Sequence, residues 1–313
     1  MYDLIGDIHG HAEELERLLG RLGYREVAGC YQHPDDRRAV FLGDYIDRGP
    51  EIGRVLEVVR GMVGGGSARA LMGNHEFNAI AYHTVHPKYP LVPGRYLREH
   101  TRANEHQHGS TLKQLGGSLP EWVDWFKTLE PWLDLGVLRA VHACWDPAAM
   151  RVVANRLADL GRFTPEFMAT ASDPEDDLYR TIEVLLKGPE VPLPDPHSFT
   201  DKDGIVRRRI RVKWFEPAAG QTFRTYGFPP DPAHPEVPVP DSTPGGAGYP
   251  PDAPPVFFGH YWLRGEHPAL LARNVACLDW SVAKGGMLAA YRWDGEQALD
   301  PGKLVSVRCE CGL

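Results

Sequence analysis

Cysteine is scarce in this chain. There are five in 313 residues (Cys30, Cys144, Cys277, Cys309 and Cys311), an odd and scattered set that excludes the disulfide framework of small secreted domains. The closing Cys-Glu-Cys-Gly lacks the two further ligands of a structural zinc site and reads as a frayed tail. Long hydrophobic runs are missing too, since no stretch approaches the roughly 20 apolar residues that span a bilayer. The N-terminus has no basic and apolar leader, and a strand begins almost at Met1, so the expected location is the cytoplasm, away from membranes. Positive charge is in deficit: 34 Lys and Arg face 42 Asp and Glu, a formal net charge of −8. That balance argues against general nucleic-acid binding. No internal repeat is visible.

What is present is a large apolar fraction, 42% of residues, enough for a sizeable core at this length. Residues 2–6 form an apolar run, followed by Leu15, Leu18, Leu19 and Leu22 at helical spacing. The run "RAVFLG" (38–43) reads as a second strand, with Val55, Val58, Val59 and Met62 marking a helix after it. "ARALMG" (68–73) reads as a third strand. Further strands are expected at 138–143 and around 256–259, 275–279 and 287–293. Alternation of strand and helix predicts an α/β architecture, and the later strands, lacking helices between them, predict an antiparallel portion. Residues 229–255 are the exception. Eleven of these 27 residues are proline, which forbids helix and central strand and predicts an extended surface excursion.

The strand ends carry the chemistry. "GDIHG" closes the first, "GDYIDRG" the second, "GNHE" the third, "VHAC" the fourth and "FFGHYW" a later one. Together they deliver Asp7, His9, Asp44, Asn74, His142 and His260, at the position where open α/β sheets build their sites. Mixed oxygen and imidazole donors suit first-row divalent metals better than calcium. A binuclear metal site follows.

This motif set resembles the metallophosphoesterases (calcineurin-like phosphoesterases), and within them the phosphoprotein phosphatase superfamily, which includes the bacterial symmetrical diadenosine tetraphosphate hydrolases. The match runs from residue 3 to about 145 and resumes from 256 to about 293. The resemblance implies a four-layer sandwich of two mixed β-sheets flanked by helices. It implies one domain over 1–313, with a specificity-type insertion at about 146–255. It assigns Asp7, His9 and Asp44 to one metal and Asn74, His142 and His260 to a second, with Asp44 bridging. Where other branches carry Gly-His-x-His, this chain has Trp262 in place of the second histidine, in keeping with the phosphatase branch.

Two such cations, manganese first and iron, zinc or nickel as alternatives, would activate a shared water and clamp the oxygens of an in-line displacement. His75 adjoins a ligand without being one and is free to protonate the leaving oxygen. Asp47 is placed to orient it, and Arg48 to grip phosphate oxygens. Glu76 reads as structural and His11 as a helix N-terminal or surface residue. The resemblance places the segments 83–89 and 99–108 along the border of the active site, where their histidines and arginines either touch substrate or, the preferred reading, belong to solvated loops. In "VRRRIRVKWF" (206–215), Ile210, Val212 and Trp214 alternate with Arg209, Arg211 and Lys213. That predicts a strand with one apolar and one basic face, the latter either a substrate clamp or a solvated surface.

The expected function is hydrolysis of phosphomonoesters, phosphoproteins included, by attack of a metal-bridging hydroxide. The alternatives are a symmetrical dinucleoside polyphosphate hydrolase and, outside catalysis, a metal-binding regulatory protein. The expected partners are a phosphorylated small molecule, a nucleotide or a phosphoprotein, and no residue in 146–255 decides among them.

Overall fold

The computed structural model describes residues 1–92, 94–200, 206–240, 243 and 246–310. Cys311 of the closing motif lies outside these. Two mixed sheets organise the chain. In the first, the strands Tyr2–Ile5, Arg38–Phe41 and Ala68–Ala70 run parallel in that order, and Met287–Trp293 joins antiparallel beside Tyr2–Ile5. Asp279–Trp280 and Leu304–Arg308 pair in turn with Met287–Trp293. In the second sheet, Val275–Cys277, Val256–Phe258 and Arg139–Val141 are parallel, and Trp132–Asp134 is antiparallel at the edge.

Side-chain alternation along these strands builds the layers. Leu4 and Val40 from the first sheet share a dry cluster with Ala140, Phe257 and Ala276 from the second, so the sheets pack face to face. Ile5, Ala39 and Phe41 point the other way. They join α1 (Ala12–Arg21) and α2 (Ile52–Gly64) through Leu15, Leu18, Val55 and Val59. The chain continues through α3 (Asn74–His83), α4 (Arg102–Leu115) and α5 (Leu119–Phe126). It then forms α6 (Pro147–Leu160), α7 (Pro165–Ala171) and α8 (Asp177–Lys187). Val153, Phe167, Ile182 and Leu185 of these last three share an apolar cluster with Val141, Val256 and Phe258 on the outer face of the second sheet. The result is helix, sheet, sheet, helix, the four-layer sandwich expected. Among the described residues no helix is long and apolar enough to cross a membrane.

The segment after α8 keeps a small core of its own, with Val191, Ile210, Val212, Phe223, Tyr226 and Val239 buried together. The alternating stretch holds its apolar side inward as expected, but it is broken into two short strands, Val206–Arg207 paired with Phe199–Thr200 and Arg209–Arg211 paired with Glu190–Pro192. The proline-rich excursion contains neither helix nor strand among its described residues. It is not wholly a surface feature, since Val239 is buried in that small core.

Every parallel strand of both sheets ends on the same edge of the sandwich, which is why the loops after residues 5, 41, 70, 141 and 258 meet. Leu4 is fully buried between the sheets. Leu4→Ala is expected to cost about 2–5 kcal/mol of unfolding free energy, read as a lowered urea midpoint with an unchanged slope.

Candidate metal centre

The loop after Tyr2–Ile5 and the loop after Arg38–Phe41 are zipped together by their main chains. The amides of Ile8 and His9 donate to the Asp44 carbonyl at 3.1 and 2.8 Å, and Gly49 N–H donates to the His9 carbonyl at 2.9 Å. This geometry holds residues with side chains in left-handed backbone. His9, Asp44, Asp47, Arg48 and His260 have φ of 46°, 55°, 66°, 70° and 75°. Each such position costs about 1–3 kcal/mol, so five of them in converging loops mark where stability is given up for geometry. Glycine is required beside them. A Cβ on Gly73 would lie 2.2 Å from the Asp44 nitrogen, and one on Gly259 would lie 1.9 Å from Asp7 Oδ1.

The candidate ligands converge on Asp44. Its Oδ2 lies 3.6 Å from His9 Nε2, and its Oδ1 lies 3.4 Å from His142 Nε2. Asn74 Oδ1 is 3.1 Å from His142 Nε2 and 2.7 Å from His260 Nδ1. Asp7 accepts the His260 main-chain N–H at Oδ2, 2.9 Å away, while its Oδ1 and His9 Nε2 are buried with no hydrogen-bond partner. Two acceptors of this kind, orphaned in a dry interior, are costly unless something satisfies them. Cations fit that requirement. They also fit the donor sets, one face of Asp44 being turned to His9 and the other to Asn74, His142 and His260.

Beside this cluster stands a second one. His75 Nδ1 is 2.5 Å from Asp47 Oδ2, and its Nε2 is 3.9 Å from Asp44 Oδ2. Burial disfavours a charged ring, yet the Asp44 and Asp47 carboxylates outweigh it and raise the His75 pKa above its ordinary value. Arg48 is exposed, with its guanidinium 4.3 Å above the Trp262 ring, and that ring stacks on His9 at 5.4 Å.

Residues 2–147 match the family model of the calcineurin-like phosphoesterases. That segment is a calcineurin-like phosphoesterase domain. Two curated relatives are both named asymmetrical bis(5'-nucleosyl)-tetraphosphatase PrpE. The protein from Oceanobacillus iheyensis is 48% identical over 73 residues, 23% of this chain and 29% of its own length. The protein from Halalkalibacterium halodurans is 45% identical over 74 residues, 24% of this chain and 30% of its own. The chain therefore spans less than a third of either relative. A solved protein serine/threonine phosphatase from Saccharomyces cerevisiae is 12% identical, with a TM-score of 0.47 over 100% of this chain and 80% of its own.

The structure brings further residues to the site that the sequence did not reveal. The segment 99–108 is not a solvated loop, because Arg102–Leu115 is helical and turns His108, Thr111 and Leu115 inward. Two of those inward residues are polar, which conceals the helical period. His108 Nδ1 lies 2.9 Å from Asp47 Oδ1, which also accepts the Thr111 hydroxyl at 2.5 Å. Burial pushes the Asp47 carboxyl up, but hydrogen bonds from His108 and His75 reverse this and leave it lowered. Behind them His83 Nε2 is 3.3 Å from His108 Nε2. Burial and His108 hold the His83 pKa down at about 4, which leaves a neutral ring at the end of the chain His83, His108, Asp47, His75. Asp279, two residues past the parallel strand Val275–Cys277, accepts the Trp262 and Ser281 amides at 2.7 and 3.0 Å. Nothing in its local motif announces that task. His11, expected at a helix N-terminus or the surface, precedes α1 but is buried.

The basic face divides. Arg211 lies near enough to His260 for its charge to lower that ring's pKa, after burial itself. Arg209 is bound through its guanidinium to the Glu190 carbonyl at 2.8 Å, and Lys213 reaches Glu216 at 3.3 Å.

Glu76 carries the frame. Its Oε2 accepts the Asp44 and Gly73 amides at 2.9 and 3.1 Å, and its Oε1 accepts those of Tyr45 and Ile46 at 2.8 and 3.2 Å. An unsatisfied buried group costs about 1–3 kcal/mol. Glu76→Ala is therefore expected to lose about 3 kcal/mol or more in urea unfolding. A variant as stable as the parent would contradict the role given to these four bonds.

Proposed function

We propose that this chain is a two-metal phosphoester hydrolase acting on phosphomonoesters, phosphorylated proteins among them, with manganese as its resident cation. The observation that carries the reading is the meeting of five donor residues around Asp44 with the His75–Asp47 pair beside them. Asp7, His9 and Asp44 would hold one cation. Asn74, His142 and His260 would hold the other, with Asp44 shared. When bound, such a pair lowers the pKa of a water and neutralises phosphoryl oxygens in an in-line displacement.

The chain's own groups do the rest. His75 keeps its proton through Asp44 and Asp47 and would deliver it from Nε2 to the leaving oxygen. Asp47 fixes the ring by holding Nδ1, and His108 and Thr111 fix Asp47. Arg48, lodged over Trp262 but open to solvent, presents a planar fork to the phosphoryl oxygens. Arg211 would add positive charge on the His260 side. Arg209, bonded to Glu190, is left out of the clamp. A purely regulatory metal site has no use for the His75–Asp47 pair, which disfavours the non-enzymatic reading.

A second reading is favoured by the names of the two curated relatives: hydrolysis of dinucleoside polyphosphates, in the asymmetrical manner their names state rather than the symmetrical one. A panel of phosphopeptides, alkyl and aryl phosphates and dinucleoside tetraphosphates, offered to the manganese-loaded chain, separates the two readings by product. Hydrolysis of none, or hydrolysis that survives chelation, contradicts both. Within the panel, His75→Ala is expected to slow an alkyl phosphate by about 10²–10⁴-fold, and an activated aryl phosphate far less. His108→Ala should show the same selectivity with a smaller loss. Equal losses on both substrates would make His75 a structural residue.

A further inference from the structure

A second group of donor atoms lies outside the candidate centre. Glu14, in the first turn of α1, is buried at 1% exposure, and His11 beside it is buried as well. Cys309, just past the strand Leu304–Arg308, is half-buried against them. His11 Nδ1 lies 3.5 Å from Glu14 Oε2 and 3.8 Å from Cys309 Sγ. The three donor atoms all fall within 4.8 Å of one another. Glu14 Oε1 is buried with no hydrogen-bond partner.

One ring nitrogen thus faces both a carboxylate and a sulfur. Its distance to the carboxylate is longer than the 2.7–3.2 Å usual for a hydrogen bond between nitrogen and oxygen. Tetrahedral zinc holds nitrogen and oxygen at about 2.0–2.2 Å and thiolate sulfur at about 2.3 Å, which sets its ligands about 3.3–3.6 Å apart. The two separations from His11 Nδ1, 3.5 and 3.8 Å, are within a few tenths of an ångström of that. We propose that His11, Glu14 and Cys309 form a third cation site, of the zinc class, that ties the C-terminal strand to the first helix. A water fills the fourth position. The thiolate selects zinc over manganese, while the oxygen and imidazole set around Asp44 does not. The same two elements are already aligned without it. Arg21 donates to the Ser306 carbonyl at 2.6 Å, and Arg17 pairs with Glu310 at 2.8 Å.

Cobalt substitution tests the site without reference to catalysis. The full chain, stripped of metal and titrated with Co²⁺, is expected to show a thiolate-to-cobalt charge-transfer band in the near ultraviolet, which the sulfur-free donors around Asp44 cannot give. Zn²⁺ in excess over all three sites should abolish it. Cys309→Ser is expected to remove the band. Glu14→Gln should weaken cobalt binding by about 10-fold or more while keeping the band at saturation. Absence of the band in the parent chain, or its persistence in Cys309→Ser, overturns the proposal. Both variants keep every donor around Asp44, so manganese-dependent hydrolysis by either of them bears on the proposed function alone.

Discussion

Four main-chain N–H groups from two different loops end on the buried carboxylate of Glu76. The central position of Asp44 among the candidate ligands follows from that convergence. Asp44 sits at φ 55°, a conformation an aspartate does not hold by preference. Its own amide is pinned by Glu76, its carbonyl by the amides of Ile8 and His9, and its Oδ1 by the His75 amide. A side chain constrained on all these sides cannot relax away from the point between the two donor sets. The strain in the neighbouring loops is sustained in the same way, by main-chain hydrogen bonds between loops that leave a double sheet.

The motifs made this frame largely legible. "GDIHG", "GDYIDRG" and "GNHE" are short because each serves a local demand: an apolar strand, a tight left-handed turn, and a donor side chain just beyond it. Glycines without room for a Cβ, such as Gly73, fall inside these motifs. The two-sheet layering was legible for a related reason, since strands buried on both faces read as unbroken apolar runs such as "RAVFLG".

Other parts were hidden because their contacts are long-range. His108 reaches Asp47 from a sequence separation of 61 residues, on a helix whose inward face is partly polar, so no apolar stripe announced it. Asp279 caps the Trp262 loop through main-chain amides, a task open to any buried carboxylate and encoded by no motif. His11 sits at the N-terminus of α1, one of the two places expected, but its burial was hidden because its half-buried partner, Cys309, comes 298 residues later. The region after α8 resists reading for a different reason. Its small core is assembled from isolated apolar residues between prolines and arginines, where neither a helical nor a strand period survives.

The account stands on one claim, that Asp44 is shared between two cations roughly 3.5–4 Å apart. Low-temperature electron paramagnetic resonance of the chain loaded with two equivalents of Mn²⁺ tests it directly. Ions bridged by one carboxylate are exchange-coupled, so the account predicts the spectrum of a coupled manganese pair. The spectrum of magnetically isolated ions, growing in proportion to added manganese through both equivalents, would contradict it.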